Sequence, residues 1–159
     1  MTKLLKSRDE KTGAGAPPEF DLDLFLPYLL NQAAEVTSQS FQQVYRAGHQ
    51  MSRTQWRIMA NLGKHGSLSA AEICKRTFME KTKVSRAVLA LEQKGYLSRS
   101  ASPGDRRTEQ LSLTGAGTKV FRGLGQKALD FDRGLRARLG PDLAGTLEAT
   151  LRKLVEDQT

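Results

Sequence analysis

The chain has 159 residues, 38% of them hydrophobic, and a net charge of +8 at neutral pH. That length suits one domain of roughly 100 to 200 residues with a real core, and regularly recurring apolar residues argue against a disordered chain. A single cysteine and two histidines exclude an internal disulfide framework and a zinc set, and no apolar run approaches the roughly 20 residues that span a bilayer. The expectation is a soluble, cytoplasmic protein with no cofactor, no metal and no membrane partner.

Residues 1–19 are polar, contain Gly-Ala-Gly and Pro-Pro, and show no period, which predicts a flexible arm. In residues 20–51 the set Phe25, Leu29, Ala33, Val36, Phe41, Val44 and Tyr45 recurs at helical spacing. It predicts a long amphipathic helix from Leu22, capped by Asp21 or Asp23, with Pro27 tolerated near the first turn and Gly48 as its end. Ser52 and Gln55 are spaced as a capping box, opening a helix that turns Trp56, Met59 and Leu62 inward and stops near Gly63. Ser69 and Glu72 repeat the device, for a short helix burying Ile73 and one or both of Cys74 and Phe78.

After a break at Thr77 to Glu80 comes "KTKVSRAVLALEQKGY". At 100° per residue Val84, Ala87, Val88 and Leu91 share one face. Thr82, Ser85, Arg86 and Gln93 lie opposite, with Lys81 and Lys83 close by, while Leu89 also points outward. Gly95 ends this helix. Leu97 to Ser100, a turn over Ala101 to Asp105 and a return strand over Thr108 to Leu113 then make a two-stranded hairpin. Thr114 caps a helix carrying Val120, Leu124, Phe131, Leu135 and Leu139 up to Gly140-Pro141, and a last helix carries Leu143, Leu147, Leu151, Leu154 and Val155 on one stripe.

Charge follows this order. Residues 52–107 hold twelve Lys/Arg against four Asp/Glu, whereas residues 1–51 hold five against six and residues 108–159 eight against seven. An excess confined to one stretch marks a polyanion-binding surface. Two short helices, the second polar and basic on its exposed face, make a helix-turn-helix, and the hairpin after it makes the motif winged. The fold class expected is mainly α: a winged helix-turn-helix over 52–113, between dimerisation helices over 20–51 and 114–159. The outer helices carry more apolar surface than one small core requires, which calls for a second copy.

At these residues the chain resembles the multiple-antibiotic-resistance regulator (MarR) family of transcription factors. "SPGDRR" followed by "LSLTGAG" is similar to that family's wing signature, "KTKVSRAVLALEQKGYLSR" to its recognition helix and first wing strand, and "MSRTQWRIMANLGKHGSLSAAEI" to the stretch before them. The resemblance spans about Leu22 to Val155. It implies a homodimer with interlocked terminal helices, each subunit offering one winged helix to double-stranded DNA, so that two-fold symmetry calls for a pseudo-palindromic operator.

Arg86 is the candidate for base readout, because a guanidinium gives two hydrogen bonds to guanine. Thr82 and Ser85 share its exposed face, and Lys81 and Lys83 suit phosphate. Neighbouring strand residues point to opposite sides, so Arg106 and Arg107 cannot do one job. The resemblance suggests that one reaches DNA while the other pairs with Asp105 or a nearby acid; the reading favours Arg106 for the groove and leaves the choice open. Family members often bind small aromatic or phenolic acids beside the winged domain, which points to Tyr28, Tyr45, His49, Arg53 and Trp56 as an effector set and to a repressor released by such an acid. Two alternatives stand beside it: a redox regulator acting through Cys74, and a ligand-independent architectural DNA-binding protein. An enzyme is not expected, because the histidines, cysteine and acids converge on no catalytic set.

Overall fold

A computed structural model describes residues 19–101 and 109–156, which divide into two compact units, one ending at Glu35 and one starting at Val36. In the first unit Leu22–Leu24 forms a single 3-10 turn, capped by the Asp21 carboxylate, which accepts the Asp23 N–H at 2.9 Å. The helix proper, α1 (Leu26–His49), begins four residues later than its apolar pattern suggests. Pro27 is the cause. From Leu22 it would lie deep enough to lack its hydrogen bond; from Leu26 it sits in the first turn, where N–H groups have no partner anyway. The other end also differs: Gly48 stays helical and the chain turns at Gln50, which takes a left-handed φ of 48°.

The second unit continues with α2 (Arg53–His65), β1 (Ser67–Ser69), α3 (Ala70–Thr77), α4 (Lys81–Gln93), β2 (Leu97–Ala101), β3 (Glu109–Leu113), α5 (Gly115–Leu139) and α6 (Pro141–Glu156). Both capping boxes form, at Ser52 with Gln55 and at Ser69 with Glu72. Helix α2 runs past Gly63 and ends at Gly66, whose φ of 81° suits glycine. Gly63 lies inside the helix, and the Phe121 ring of α5 occupies the space a Cβ there would need.

The hairpin is part of a three-stranded antiparallel sheet in the order β1-β3-β2. The additional strand, β1, pairs Ser67, Leu68 and Ser69 with Ser112, Leu111 and Gln110, and so buries Leu68 against Leu111. On the other side of β3 the register runs from Leu97 opposite Leu113 to Ala101 opposite Glu109, so Ala101 belongs to a strand and not to the turn.

Ile58, Met59 and Leu62 of α2, Ile73 of α3, Val84, Val88 and Leu91 of α4, and Leu124 of α5 form the core with the strand leucines. The α3 side differs from expectation at Phe78. Phe78 ends α3 with a left-handed φ of 52° and is 76% exposed, while the half-buried Cys74 packs on the core. Leu89 is exposed, as its position on the α4 wheel requires.

Thr114 joins sheet to α5 through three bonds. Its N–H donates to the Tyr96 carbonyl at 3.1 Å, its hydroxyl donates to the Gly95 carbonyl at 2.6 Å, and the same oxygen accepts the Gly117 N–H at 3.0 Å. A Cβ on Gly117 would strike the Tyr96 carbonyl, so the Thr-x-x-Gly spacing is set by a cap and a close backbone approach. Along α6 the stripe Leu143, Leu147, Leu151, Leu154 and Val155 remains exposed, by 40% or more at every position.

Candidate nucleic-acid interface

Helix α4 buries Val84, Ala87, Val88 and Leu91 and leaves Lys81, Thr82, Lys83, Ser85 and Arg86 exposed. The inward face fixes the outward one: turning α4 to hide the polar set would bring its core residues into water. Its N-cap, Glu80, makes no side-chain cap bond. The positive end of the helix dipole therefore adds to the two lysines, a favourable setting for phosphate. Lys83 and Arg86 also border a shallow cleft of about 260 Å³ with Ser52, Thr54 and Gln55 at the start of α2.

Other side chains hold α4 and the turn before it. Lys94 Nζ donates to the His49 and Gln50 carbonyls at 2.8 and 3.1 Å, fastening the C-terminal end of α4 to the corner between α1 and α2. Arg57 Nη2 donates to the Thr77 carbonyl at 2.7 Å, where α3 ends. Burial, and after it the Arg53 charge, hold the Arg57 guanidinium below the ordinary arginine value. The base of the wing carries an ion cluster that sequence reading did not single out: Arg99 on β2 bridges Glu92 on α4 and Glu109 on β3. The hydrogen bonds that Arg99 donates to both acids' carboxylates, Glu92 first and Glu109 second, hold it protonated well above its usual range. Asp105, Arg106 and Arg107 lie outside the described residues.

A cavity of about 530 Å³ opens among α1, α2 and α5, walled by Phe41, Tyr45, Trp56 and Phe131 and edged by Arg53, Arg57 and Asp132. Three of the expected effector residues, Tyr45, Arg53 and Trp56, meet there. His49 instead faces the Tyr96 ring edge-on at 6.2 Å between centroids. Tyr28 belongs to the N-terminal unit. Phe41, Arg57 and Phe131 are among the lining residues that sequence reading did not assign to the effector set; Phe41 and Phe131 are ninety residues apart in the chain and meet with ring centroids at 5.3 Å. Among the described residues no group of three or more His, Cys, Asp or Glu is placed to hold a metal, and no helix is long and apolar enough to cross a membrane.

A helix-turn-helix formed by α3 and α4, followed by a β2–β3 wing, defines a winged-helix protein. Residues 49–108 match the MarR family model. The transcriptional repressor MdtR of Bacillus subtilis is 38% identical over 74 residues, 45% of this chain and 48% of that protein. The chain spans about half the length of the curated relatives it matches. A MarR family transcriptional regulator from Silicibacter pomeroyi is 28% identical in its crystal structure, with a TM-score of 0.77 covering 87% of this chain and 92% of that one. NadR in complex with 4-hydroxyphenylacetate, 22% identical with a TM-score of 0.75 over 87% and 97% of the two chains, shares the fold. Over its winged-helix region the chain is similar to MarR family transcriptional regulators.

Proposed function

We propose that the chain is a sequence-specific, double-stranded-DNA-binding transcriptional repressor that acts as a homodimer in the cytoplasm. One observation carries this reading: the five polar or basic residues at the start of α4 are exposed together over a face buried in the core. A helix so presented enters a major groove with its N-terminal residues at base edges. Arg86 reads a base, Lys81 and Lys83 meet phosphate, Thr82 and Ser85 add hydroxyl contacts, and Arg106 or Arg107 reaches the minor groove.

A second copy seated on the α6 stripe supplies two-fold symmetry, and hence a pseudo-palindromic site with half-sites about 10 base pairs apart. Selection from a random duplex pool followed by footprinting tests the reading. A protected region with that symmetry is expected, and a lone half-site or RNA preferred over duplex would overturn it. Repression is supported by the likeness to MdtR, named a repressor, over 74 residues.

Release of DNA by a small aromatic or phenolic acid is the regulatory part of the proposal. The α1–α2–α5 cavity lies in the size range of small-molecule sites, about 300 to 1,000 Å³. Its aromatic walls suit a ring and its two arginines suit a carboxylate. NadR, whose fold this chain shares, is named in complex with such an acid. Titrating 4-hydroxyphenylacetate and salicylate into the protein–duplex complex should release DNA from the wild type and not from Arg53→Gln. No release by any such acid would leave a ligand-independent regulator. Cys74 is half-buried against the core, a setting that supports a packing role over redox sensing.

A further inference from the structure

We propose that Arg99 is a positioning residue for DNA binding: it locks the wing hairpin to the recognition helix so that the two approach DNA as one rigid body. This rests on the DNA-binding reading above. Arg99 Nε and Nη2 donate to the two carboxylate oxygens of Glu92, in the last turn of α4, at 2.7 and 2.8 Å. Its Nη1 donates to Glu109, the first residue of β3, at 2.7 Å. Three donors of one planar fork are therefore held by two elements, a geometry a flexible ammonium cannot reproduce.

In the sheet Arg99 lies opposite Leu111, two residues from Glu109 on the same face, so the contact to Glu109 runs diagonally across the strand pair. Glu92 is the more enclosed partner, its side chain 25% exposed against 58% for Glu109. Along the chain, Lys94 to Tyr96 connect α4 to β2. The fork adds a side-chain tie to that short link.

Two acids beside a surface offered to a polyanion run against simple electrostatics. Pairs this exposed also add little to fold stability. Holding the hairpin at a fixed angle to α4 is the role left to them. The consequence separates positioning from charge by sign. If Glu92 acts only through its charge, Glu92→Gln makes the surface more positive and tightens DNA binding. If it holds Arg99, the same change weakens binding.

The experiment measures affinity for the duplex recovered by selection, for wild type, Glu92→Gln, Arg99→Gln and the double variant, together with salt dependence and thermal midpoints. We expect Glu92→Gln to weaken binding by roughly three- to tenfold, with the double variant no worse than Arg99→Gln alone, since both changes remove one interaction. The slope of affinity against salt should be unchanged in Glu92→Gln, because no phosphate contact is lost. Binding by Glu92→Gln at or above wild-type strength overturns the proposal. So does a Glu92→Gln chain unfolded at the assay temperature, since the cluster would then carry the fold and not the docking. Wild type showing no duplex preference would instead remove the DNA-binding reading, before any variant is compared.

Discussion

Helices α4 and α6 carry the same kind of apolar stripe, yet the folded chain treats them in opposite ways. Val84, Val88 and Leu91 on α4 are at most 2% exposed, whereas Leu147, Leu151 and Leu154 on α6 are 40 to 43% exposed. Periodicity states that a helix face must be covered and says nothing of what covers it. On α4 the cover comes from α2, α3 and the strands of the same unit. On the dimer reading, the cover for α6 is the same stripe on a second copy.

Leu91→Ala should sharpen that contrast most, lowering stability by about 2 to 5 kcal/mol through lost burial and a cavity. Its loss should be independent of protein concentration in thermal melts; a concentration-dependent loss would place α4 at a subunit contact. Gly117→Ala comes next, at about 2 to 3 kcal/mol, because its Cβ collides with backbone that cannot swing aside. Chemical denaturation should register that loss, and a neutral result would show that Thr114 and Tyr96 separate freely.

A smaller effect is expected at the start of α3. Hydrogen bonds from Ser69, from its backbone first and its hydroxyl second, hold the Glu72 carboxyl below its ordinary range. A depressed folded value means that this stabilisation is complete above about pH 4.3, the unfolded glutamate value, and fades as pH falls through Glu72's own lower value. Acid titration of Glu72→Gln should therefore be flatter than wild type over that window, and identical curves would remove the capping box from the acid response. The smallest intrinsic change is expected for Leu147→Glu, within about 0.5 kcal/mol for the isolated chain. On the dimer reading its cost should grow with protein concentration, and sedimentation should show the variant monomeric where the wild type pairs. A large loss in dilute solution would place Leu147 in the core of a single chain.

What was legible in the sequence was mostly local. Ser52 with Gln55, Ser69 with Glu72, and Thr114 with Gly117 each span three residues, so spacing alone predicts their bonds. The buried face of α4 follows from angle counting over a single helix. Strand β1 did not show, because Ser67-Leu68-Ser69 is too short for a pattern and its partners lie more than forty residues away. The Arg99 cluster was hidden for a related reason: its acids sit on two other elements, and only the fold brings them to one guanidinium. Phe78 was ambiguous because its place in the helical pattern suits burial, while its left-handed backbone turns the ring outward.

The aromatic packing beside the cavity has an optical consequence. Trp56 is the single tryptophan of the chain. It stacks between Tyr45 and Phe121, with ring centroids at 6.2 and 6.5 Å, and it forms part of the cavity wall. Its emission is therefore a built-in, label-free reporter on the seam between α2 and α5. In a mixture of protein, duplex and acid, a change in that emission registers events in the cavity, while a fluorophore on the duplex registers occupancy of the winged helix. On the proposed reading, acid binding and DNA release can thus be timed separately in one cuvette.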